Sequence, residues 1–477
     1  TGDVDVLGER RALVSAVARG ETEVLHIPAS ELNQVLSEQP VLGDKILNAF
    51  IARRELMMQA GFAGLRVIGS ETSRHTFQLC EFLARNQVPF TWLKVEDDPA
   101  IGALLQDLGV TVDDMPVVAY GDRPLLRRPS LRDLAEQVGL RSPLHAATYD
   151  LVIIGAGPAG LAAAVYGSSE GLQTLVLDGS APGGQAGTST KIENYLGFPT
   201  GITGAELMGR AVLQAQKFGA QFSTPTQVAA LDLSGPLPVV RIDGGETARA
   251  RCVLIATGAE YRRLDVPGRQ QFDGLGVYYA ATQTELVACE QSDVIVVGAG
   301  NSAGQAIMYL RGHTRQVTVL VRNGSLRDSM SSYLAERIEA AENVEVLYHT
   351  VVRRILGDER AEAVEIENTQ TGERRTLPTA ALFSFIGAVP CTDWLPPEIE
   401  TDRNGFICTG REVAESPNWK LKRRPFAMET TCPGVFAAGD VRVGSTKRVS
   451  SAVGEGAMAI KYIHEYLALP QPENLIV

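Results

Sequence analysis

An α/β fold built around two parallel-sheet units is predicted for this 477-residue chain, and three observations predict it. The segments Asp150–Gly171 and Asp293–Leu310 each open with an acidic residue followed by four apolar ones. Unbroken apolar runs of this kind suit strands buried on both faces of a parallel sheet. Each run passes through a glycine-rich turn into a helical pattern, and its recurrence implies two such folds, not one.

In the first unit, Leu151–Ile154 leads into Gly155-Ala156-Gly157-Pro158-Ala159-Gly160. Gly155 allows the tight strand-to-helix turn, Gly157 lets backbone approach a pyrophosphate, and Gly160 lets the helix pack on the strand. The helix N-terminus then offers unpaired N–H groups and a positive dipole end to phosphates. Asp178 ends the next strand, Thr174–Leu177, and lies 23 residues after Gly155. An acid there can accept hydrogen bonds from ribose hydroxyls.

In the second unit, Val294–Val297 leads into Gly298-Ala299-Gly300-Asn301-Ser302-Ala303. Ala303 stands where a third glycine is usual, a position that tolerates a small residue. The following strand, Gln316–Val321, ends in Arg322, with Arg327 five residues on. A basic group here suits a 2′-phosphate and favours NADPH, with NADH as the alternative. Both motifs predict Rossmann-like dinucleotide-binding folds.

Other totals bound the answer. The length suggests three or four domains. The formal charge of −12 argues against nucleic acid or an anionic membrane as partner, because both repel it. No apolar run approaches a bilayer span, and no signal-peptide pattern is present. Residue 1 is Thr, which points to a truncated or processed chain. The six cysteines, Cys80, Cys252, Cys289, Cys391, Cys408 and Cys432, are never closer than 17 positions, so there is no C-x-x-C and no local zinc knuckle. A reduced, cytoplasmic protein with scattered structural thiols and no metal site is expected.

From about Ala147 to the end, the chain resembles the low-molecular-weight thioredoxin reductase family of flavoproteins. Besides the two glycine motifs, the resemblance rests on Gly183-Gly184-Gln185, Ile192-Glu193-Asn194-Tyr195, Ala256-Thr257-Gly258, Ile386-Gly387-Ala388-Val389-Pro390 and Gly434–Asp440. It implies FAD on the first glycine motif and NADPH on the second. It places Gly184, Gln185, Asn194, Thr257, Gly258 and Gly439 around FAD, with Asp440 on the ribityl chain. Lys447-Arg448-Val449 would lie along the isoalloxazine, where N–H groups and positive charge favour a reduced, anionic flavin. Arg322 and Arg327 match two phosphate-binding arginines of the family; Asn323 departs from a third. Ile386 and Gly387 complete the nicotinamide set. The resemblance also implies a FAD domain split into 147–264 and 392–477, an NADPH domain at 265–391, and a homodimer.

One stretch departs from the family. Thioredoxin reductases carry Cys-x-x-Cys followed by an acid within Gly276–Glu285; here the cysteine positions fall on Ala280 and Gln283, and Thr284 replaces the acid. A dithiol accepts two electrons and passes them on by thiolate exchange, which Ala and Gln cannot do. The expected activity is therefore FAD-dependent NADPH oxidation with an acceptor other than a protein dithiol. A quinone, a ferric complex, oxygen, a small redox protein and a small disulfide all stay open. So do a reductase using thiols elsewhere and a sensing protein with little turnover. Cys289 reads as a buried small residue, and Tyr278 and Tyr279 as strand-end packing residues.

The N-terminal third adds two segments. Residues 64–140 alternate strand and helix patterns: strands at Leu65–Ile68 and Phe90–Val95, and helices at Ser73–Asn86, Ile101–Leu108 and Ser130–Val138. With Met115-Pro116-Val117 this resembles a thioredoxin- or glutaredoxin-like domain whose cysteine motif, expected near Ser70–Ser73, is absent. Residues 1–60 resemble more weakly the end of a cyclic-nucleotide-binding β-roll, with strands expected in Val14–Ile27 and a helix from Ala29 to Met58 interrupted at Pro40. Ala12 stands near the place of that fold's phosphate-binding arginine, so no cyclic-nucleotide binding is expected.

Overall fold

The computed structural model describes residues 6–7, 18–59, 64–97, 99–121, 123–141, 144, 148–189, 191–279, 281, 285–286 and 289–470. Ala280, Gln283, Thr284 and Ala12 lie outside the described residues.

Helices α1 (Ala29–Glu38) and α2 (Pro40–Gln59) come first. They break between Glu38 and Pro40, where a residue without a backbone N–H cannot continue the preceding helix. The expected strands before them are not found: residues 18–28 have no regular structure, and Val24 and Leu25 are exposed there. Alternation alone does not make a strand when no neighbouring edge offers hydrogen bonds.

A small α/β layer follows: β1 (Leu65–Gly69), α3 (Arg74–Arg85), β2 (Thr91–Lys94), α4 (Pro99–Asp107), β3 (Val117–Tyr120), β4 (Leu126–Arg127) and α5 (Leu131–Val138). Its sheet runs β2-β1-β3-β4, with β1 parallel to β2 and antiparallel to β3. The Met115–Pro116 peptide is cis. Ser73 caps α3, and a Ser130/Asp133 capping box starts α5.

The next segment supplies β5 (Tyr149–Ile154), α6 (Pro158–Ser169), β6 (Thr174–Leu177), α7 (Gly204–Lys217), β7 (Gln221–Ser223), β8 (Val228–Asp232), β9 (Val239–Ile242) and β10 (Thr247–Ile255). Then come β11 (Ala259–Tyr261), β12 (Val277–Tyr278), β13 (Asp293–Val297), α8 (Asn301–Leu310), β14 (Gln316–Leu320), α9 (Ser332–Glu339), β15 (Val344–Leu347), β16 (Thr350–Gly357), β17 (Ala361–Asn368), β18 (Arg374–Pro378), β19 (Ala381–Ser384) and β20 (Ala388–Pro390). The chain closes with β21 (Val435–Ala437) and α10 (Val449–Leu467).

These elements form two compact units. The first comprises residues 1–187, 205–258 and 391–477, and the second residues 188–204 and 259–390. In the first, a seven-stranded sheet runs β7-β6-β5-β10-β9-β8, with β21 also on β10. The pairs β5–β6, β6–β7, β5–β10 and β10–β21 are parallel, while β9 joins β10 antiparallel. α6 and α10 cover one face, burying Ala163, Ala164, Ala459, Ile460 and Ile463 against Leu151, Ile153 and Leu254. α6 has small residues nearly all round, as a helix clamped on several sides requires.

In the second unit a five-stranded all-parallel sheet runs β12-β19-β13-β14-β15. Its partner is the antiparallel sheet β16-β17-β18. Both large sheets thus place a strand–glycine loop–helix–strand unit at their centre, the doubly wound arrangement expected from the two motifs. Among the described residues no helix is long and apolar enough to cross a membrane.

Candidate functional site

In the first unit, three loops leave the carboxyl ends of adjacent strands: 155–160 after β5, 256–258 after β10 and 438–440 after β21. They are stitched together by backbone bonds from Ala256 N to Ile154 O (2.8 Å) and from Ala438 N to Ile255 O (3.0 Å). Open α/β sheets bind ligands in the crevice beyond such strand ends.

Gly155 sits at φ +103°, and a Cβ there would lie 2.4 Å from the Ala256 carbonyl oxygen. A Cβ on Gly160 would lie 1.9 Å from the Gly155 oxygen, so the helix enters only because the position is glycine. Gly157 is the N-cap of α6 with no side-chain cap, and Pro158 occupies the first turn. The first turn of α6 therefore has N–H groups without a side-chain cap, as an anion site requires. Gly183-Gly184 roofs this loop: Gly183 N donates to Ala156 O (2.7 Å), and a Cβ on Gly184 would meet the Gly157 Cα at 3.0 Å. Gln185 follows in a short helical turn, Gly184–Gly187. This cradle, with its uncapped donors and close glycine backbones, fits a pyrophosphate.

Asp178 lies within this arrangement. Its carboxylate accepts from the N–H groups of Ala156 (2.8 Å), Ser180 (2.9 Å) and Ala181 (3.0 Å). Burial nonetheless pushes its pKa above the usual carboxylate value, against the pull of those bonds and of Arg85. Asp178 thus ties the glycine loop to the loop after β6.

Thr257 Oγ1 donates to the Cys391 carbonyl (3.0 Å), and Gly258, at φ +68°, accepts from Cys391 N (3.1 Å). Gly439 N donates to Glu455 Oε2 (2.7 Å), and Arg442 grips the same carboxylate in a bidentate pair (2.8 and 2.7 Å). Glu455 comes from the middle of α10, so a half-buried ion pair fixes the Gly439-Asp440 turn. Burial raises the Asp440 pKa, opposed by Lys447. Lys447 donates to the Asp440 carbonyl and lies over the Phe406 ring, 4.4 Å from its centroid. Burial lowers its pKa. Arg448 is the N-cap of α10 and Val449 its first residue. Asn194 falls in residues 188–204, which belong to the second unit.

The second unit repeats the loop with differences. Gly298 has φ +132°, and a Cβ there would meet the Phe385 oxygen at 2.3 Å. Gly300 caps α8 without a side-chain cap, and a Cβ on it would meet nothing within 4 Å. Ala303 is fully buried. Asn301 Oδ1 accepts from Ser331 N (2.8 Å), and Ser329 Oγ donates to Ala299 O (2.8 Å), so the segment before α9 braces the loop. Ser302 sits exposed in the first turn of α8. Gly387 has φ +98° with open space where a Cβ would stand, and Ile386 packs on the core beneath.

Arg322 is exposed at the end of β14, whereas Arg327 is engaged by α9, with ion pairs to Glu339 (2.7 Å) and Glu336 (3.5 Å). Tyr278 packs on Phe383 (5.5 Å between centroids), and Tyr279 donates to Asp273 Oδ1 (2.6 Å). Both serve packing roles. Cys289 is buried and its Sγ–H donates to Glu285 O (3.4 Å). Burial raises the pKa of Cys80 to about 12, of Cys289 and Cys432 to about 11, and that of Cys252 and Cys408 upward too. Among the described residues no group of three or more His, Cys, Asp or Glu is placed to hold a metal ion.

Glu455 and Arg442 went unseen in the sequence because they meet across 13 positions from different elements. The available signal was a lone acid, flanked by Gly454 and Gly456, in an otherwise apolar stretch of α10.

Two doubly wound sheets, each with a glycine loop leading into a helix N-terminus, have the arrangement of dinucleotide-binding folds. Residues 149–456 match the pyridine nucleotide-disulphide oxidoreductase family, and the chain belongs to it. Relatives include thioredoxin reductases from Listeria innocua (33% identical over 320 residues, 67% of this chain and 94% of that protein) and Treponema pallidum (35% over 319 residues, 67% and 97%). Among solved structures, Lactococcus lactis thioredoxin reductase matches with a TM-score of 0.60 at 28% identity, over 67% of this chain and 99% of that one. The chain is thus a thioredoxin-reductase-like enzyme, an oxidoreductase of the FAD- and NADPH-using kind. The matched segment begins at residue 149, after the N-terminal α/β layer.

Proposed function

We propose that this protein takes hydride from NADPH onto FAD and delivers the electrons to an acceptor without an active-site dithiol, a diaphorase-type reaction. The observation that carries this reading is Ala280 and Gln283 at the family's two cysteine positions. Five of the six thiols point the same way: burial holds Cys80, Cys252, Cys289, Cys408 and Cys432 toward the unreactive protonated form.

FAD supplies, when bound, a two-electron relay between nicotinamide and acceptor. The chain's own residues bind and orient. Gly155, Gly157, Pro158, Ala159 and Gly160 present backbone and uncapped N–H groups to the pyrophosphate, with Gly184 and Gln185 above them. Asp178 holds that loop in shape. Thr257, Gly258, Gly439 and Asp440 line the strand ends, and Lys447, Arg448 and Val449 bring positive charge and a helix N-terminus. Asn194 is assigned to FAD by its match to the family. Gly298, Gly300, Asn301, Ser302 and Ala303 form the NADPH loop, with Ile386 and Gly387 beside it. Arg322 is the residue we assign to the 2′-phosphate. Arg327 can join only by leaving Glu339 and Glu336.

The acceptor is a small molecule or a small redox protein. We read residues 64–140 as a thioredoxin-like domain without its cysteines, supported by the β2-β1-β3-β4 order. Residues 1–60 are read as a remnant of a cyclic-nucleotide-binding-like fold, and the working protein as a cytoplasmic homodimer.

The test is anaerobic mixing with NADPH, with thiols counted before and after. Bleaching of the yellow cofactor with no new thiols supports the proposal. Two new thiols would instead assign the reaction to cysteines elsewhere in the chain. Bleaching without turnover on any acceptor would favour a sensing role.

A further inference from the structure

Within the first unit, the N-terminal α/β layer meets the seven-stranded sheet and its loops at one corner, the end of α3, and, separately, through Arg141 and Glu246. Asn86 is buried there. Its Nδ2 donates to Phe82 O (2.9 Å) and to Ser180 O (3.4 Å), and its Oδ1 accepts from Thr224 Oγ1 (3.3 Å). Gln87 holds φ +55°, a conformation that costs a non-glycine residue energy and persists only where neighbours impose it. Its Nε2 donates to Ala205 O (3.4 Å) and lies against Gly209, where a Cβ would come within 1.8 Å of it. Its carbonyl accepts from Arg54 Nη1 (3.0 Å).

The contacted loop belongs to the first nucleotide site. Ser180 is held from both sides: its N–H goes to Asp178 Oδ1 (2.9 Å), and its carbonyl receives Asn86. The same Asp178 carboxylate holds Ala156 of the glycine loop (2.8 Å). A continuous chain of bonds therefore runs from the N-terminal layer through Ser180 and Asp178 into Ala156. In a fold of this type, the acid after the second strand lies at the adenosine ribose.

We infer that Asn86 is a positioning residue of the FAD site, through which the N-terminal domain holds the adenosine-side loop Asp178–Ala181 in its binding shape. The inference rests on assigning the first glycine loop to FAD. Its consequence is reciprocal: FAD tightens this docking, and whatever displaces the corner weakens FAD. The N-terminal layer then has a role in the reductase core that needs no cysteine.

The test uses the full chain, stripped of flavin and titrated with FAD, ADP and riboflavin, with thermal melts to confirm folding. The variants are Asn86→Ala and Asn86→Asp, the second keeping the acceptor for Thr224 while losing the donor to Ser180 O. Arg141→Ala, which removes a different bond of the same domain, Arg141–Glu246 (2.6 Å), is the control. Both corner variants are expected to weaken FAD and ADP about five- to tenfold, with riboflavin unchanged and the control within about twofold of wild type. Unchanged FAD affinity in both corner variants overturns the inference. So does equal weakening by Arg141→Ala, which would make docking in general, not this corner, the cause. A wild-type chain that binds no FAD removes the underlying assignment instead.

Discussion

The two glycine loops share a backbone solution and differ in what surrounds it. In both, the first glycine has positive φ and meets a carbonyl from a neighbouring strand end, Ala256 in one and Phe385 in the other. The first loop is then closed. Gly183-Gly184 roofs it, Asp178 binds it from behind, and α6 enters so tightly that position 160 has no room for a Cβ. The second loop is more open. Position 303 carries a buried methyl group, Gly300 faces free space, and the strand after the loop ends in an exposed arginine. The contrast matches the proposed roles of a resident cofactor and an exchanging reductant.

The largest expected effect tests the closed loop. Gly160→Ala forces a Cβ against the Gly155 carbonyl and should cost about 3 kcal/mol of stability, with loss of bound flavin seen by absorbance and melting. A flavin-replete variant with unchanged melting would break the contrast. Next comes the open loop's charge. Arg322→Ala should weaken NADPH about tenfold by losing a charge-assisted bond, leaving NADH unchanged in a fluorescence titration. Equal loss for both would remove Arg322 from the 2′-phosphate.

Ala303→Gly comes third. It removes a buried methyl and a helix-favouring residue, and should cost about 1 kcal/mol by denaturant melts while nicotinamide binding persists. A loss as severe as that at Gly160 would mean that the two helix entries are equally tight. The smallest effect lies at the opposite ends of the strands. Asp293 is paired with Arg315, which holds its carboxyl below the usual value. A depressed pKa gives stability that is present above the ordinary carboxylate pKa and lost as pH falls through the lowered one. Asp293→Asn should therefore cost no more than about 0.5 kcal/mol at neutral pH, and less still in acid.

The βαβ units were legible because glycine spacing and apolar runs are local and dictated by sterics. The α/β layer at 65–138 was legible for the same reason, with its caps at Ser73 and Ser130. The expected strands in Val14–Ile27 failed where they can be seen, at residues 18–27, because a strand needs a partner that alternation does not supply. Glu455, Arg442 and Asn86 were not legible: each acts on a turn far away in sequence, and only folding supplies its partner.

Residue type at fixed spacing was enough to establish the two parallel-sheet units and their glycine loops. At those positions a missing Cβ decides the matter. Tertiary packing was needed to learn which loop is closed and which open, that Arg327 is already engaged by α9, and that the N-terminal domain reaches the Asp178 loop. Those depend on groups brought together from distant parts of the chain, where packing and the pairing of buried polar groups choose among partners that local spacing leaves equivalent.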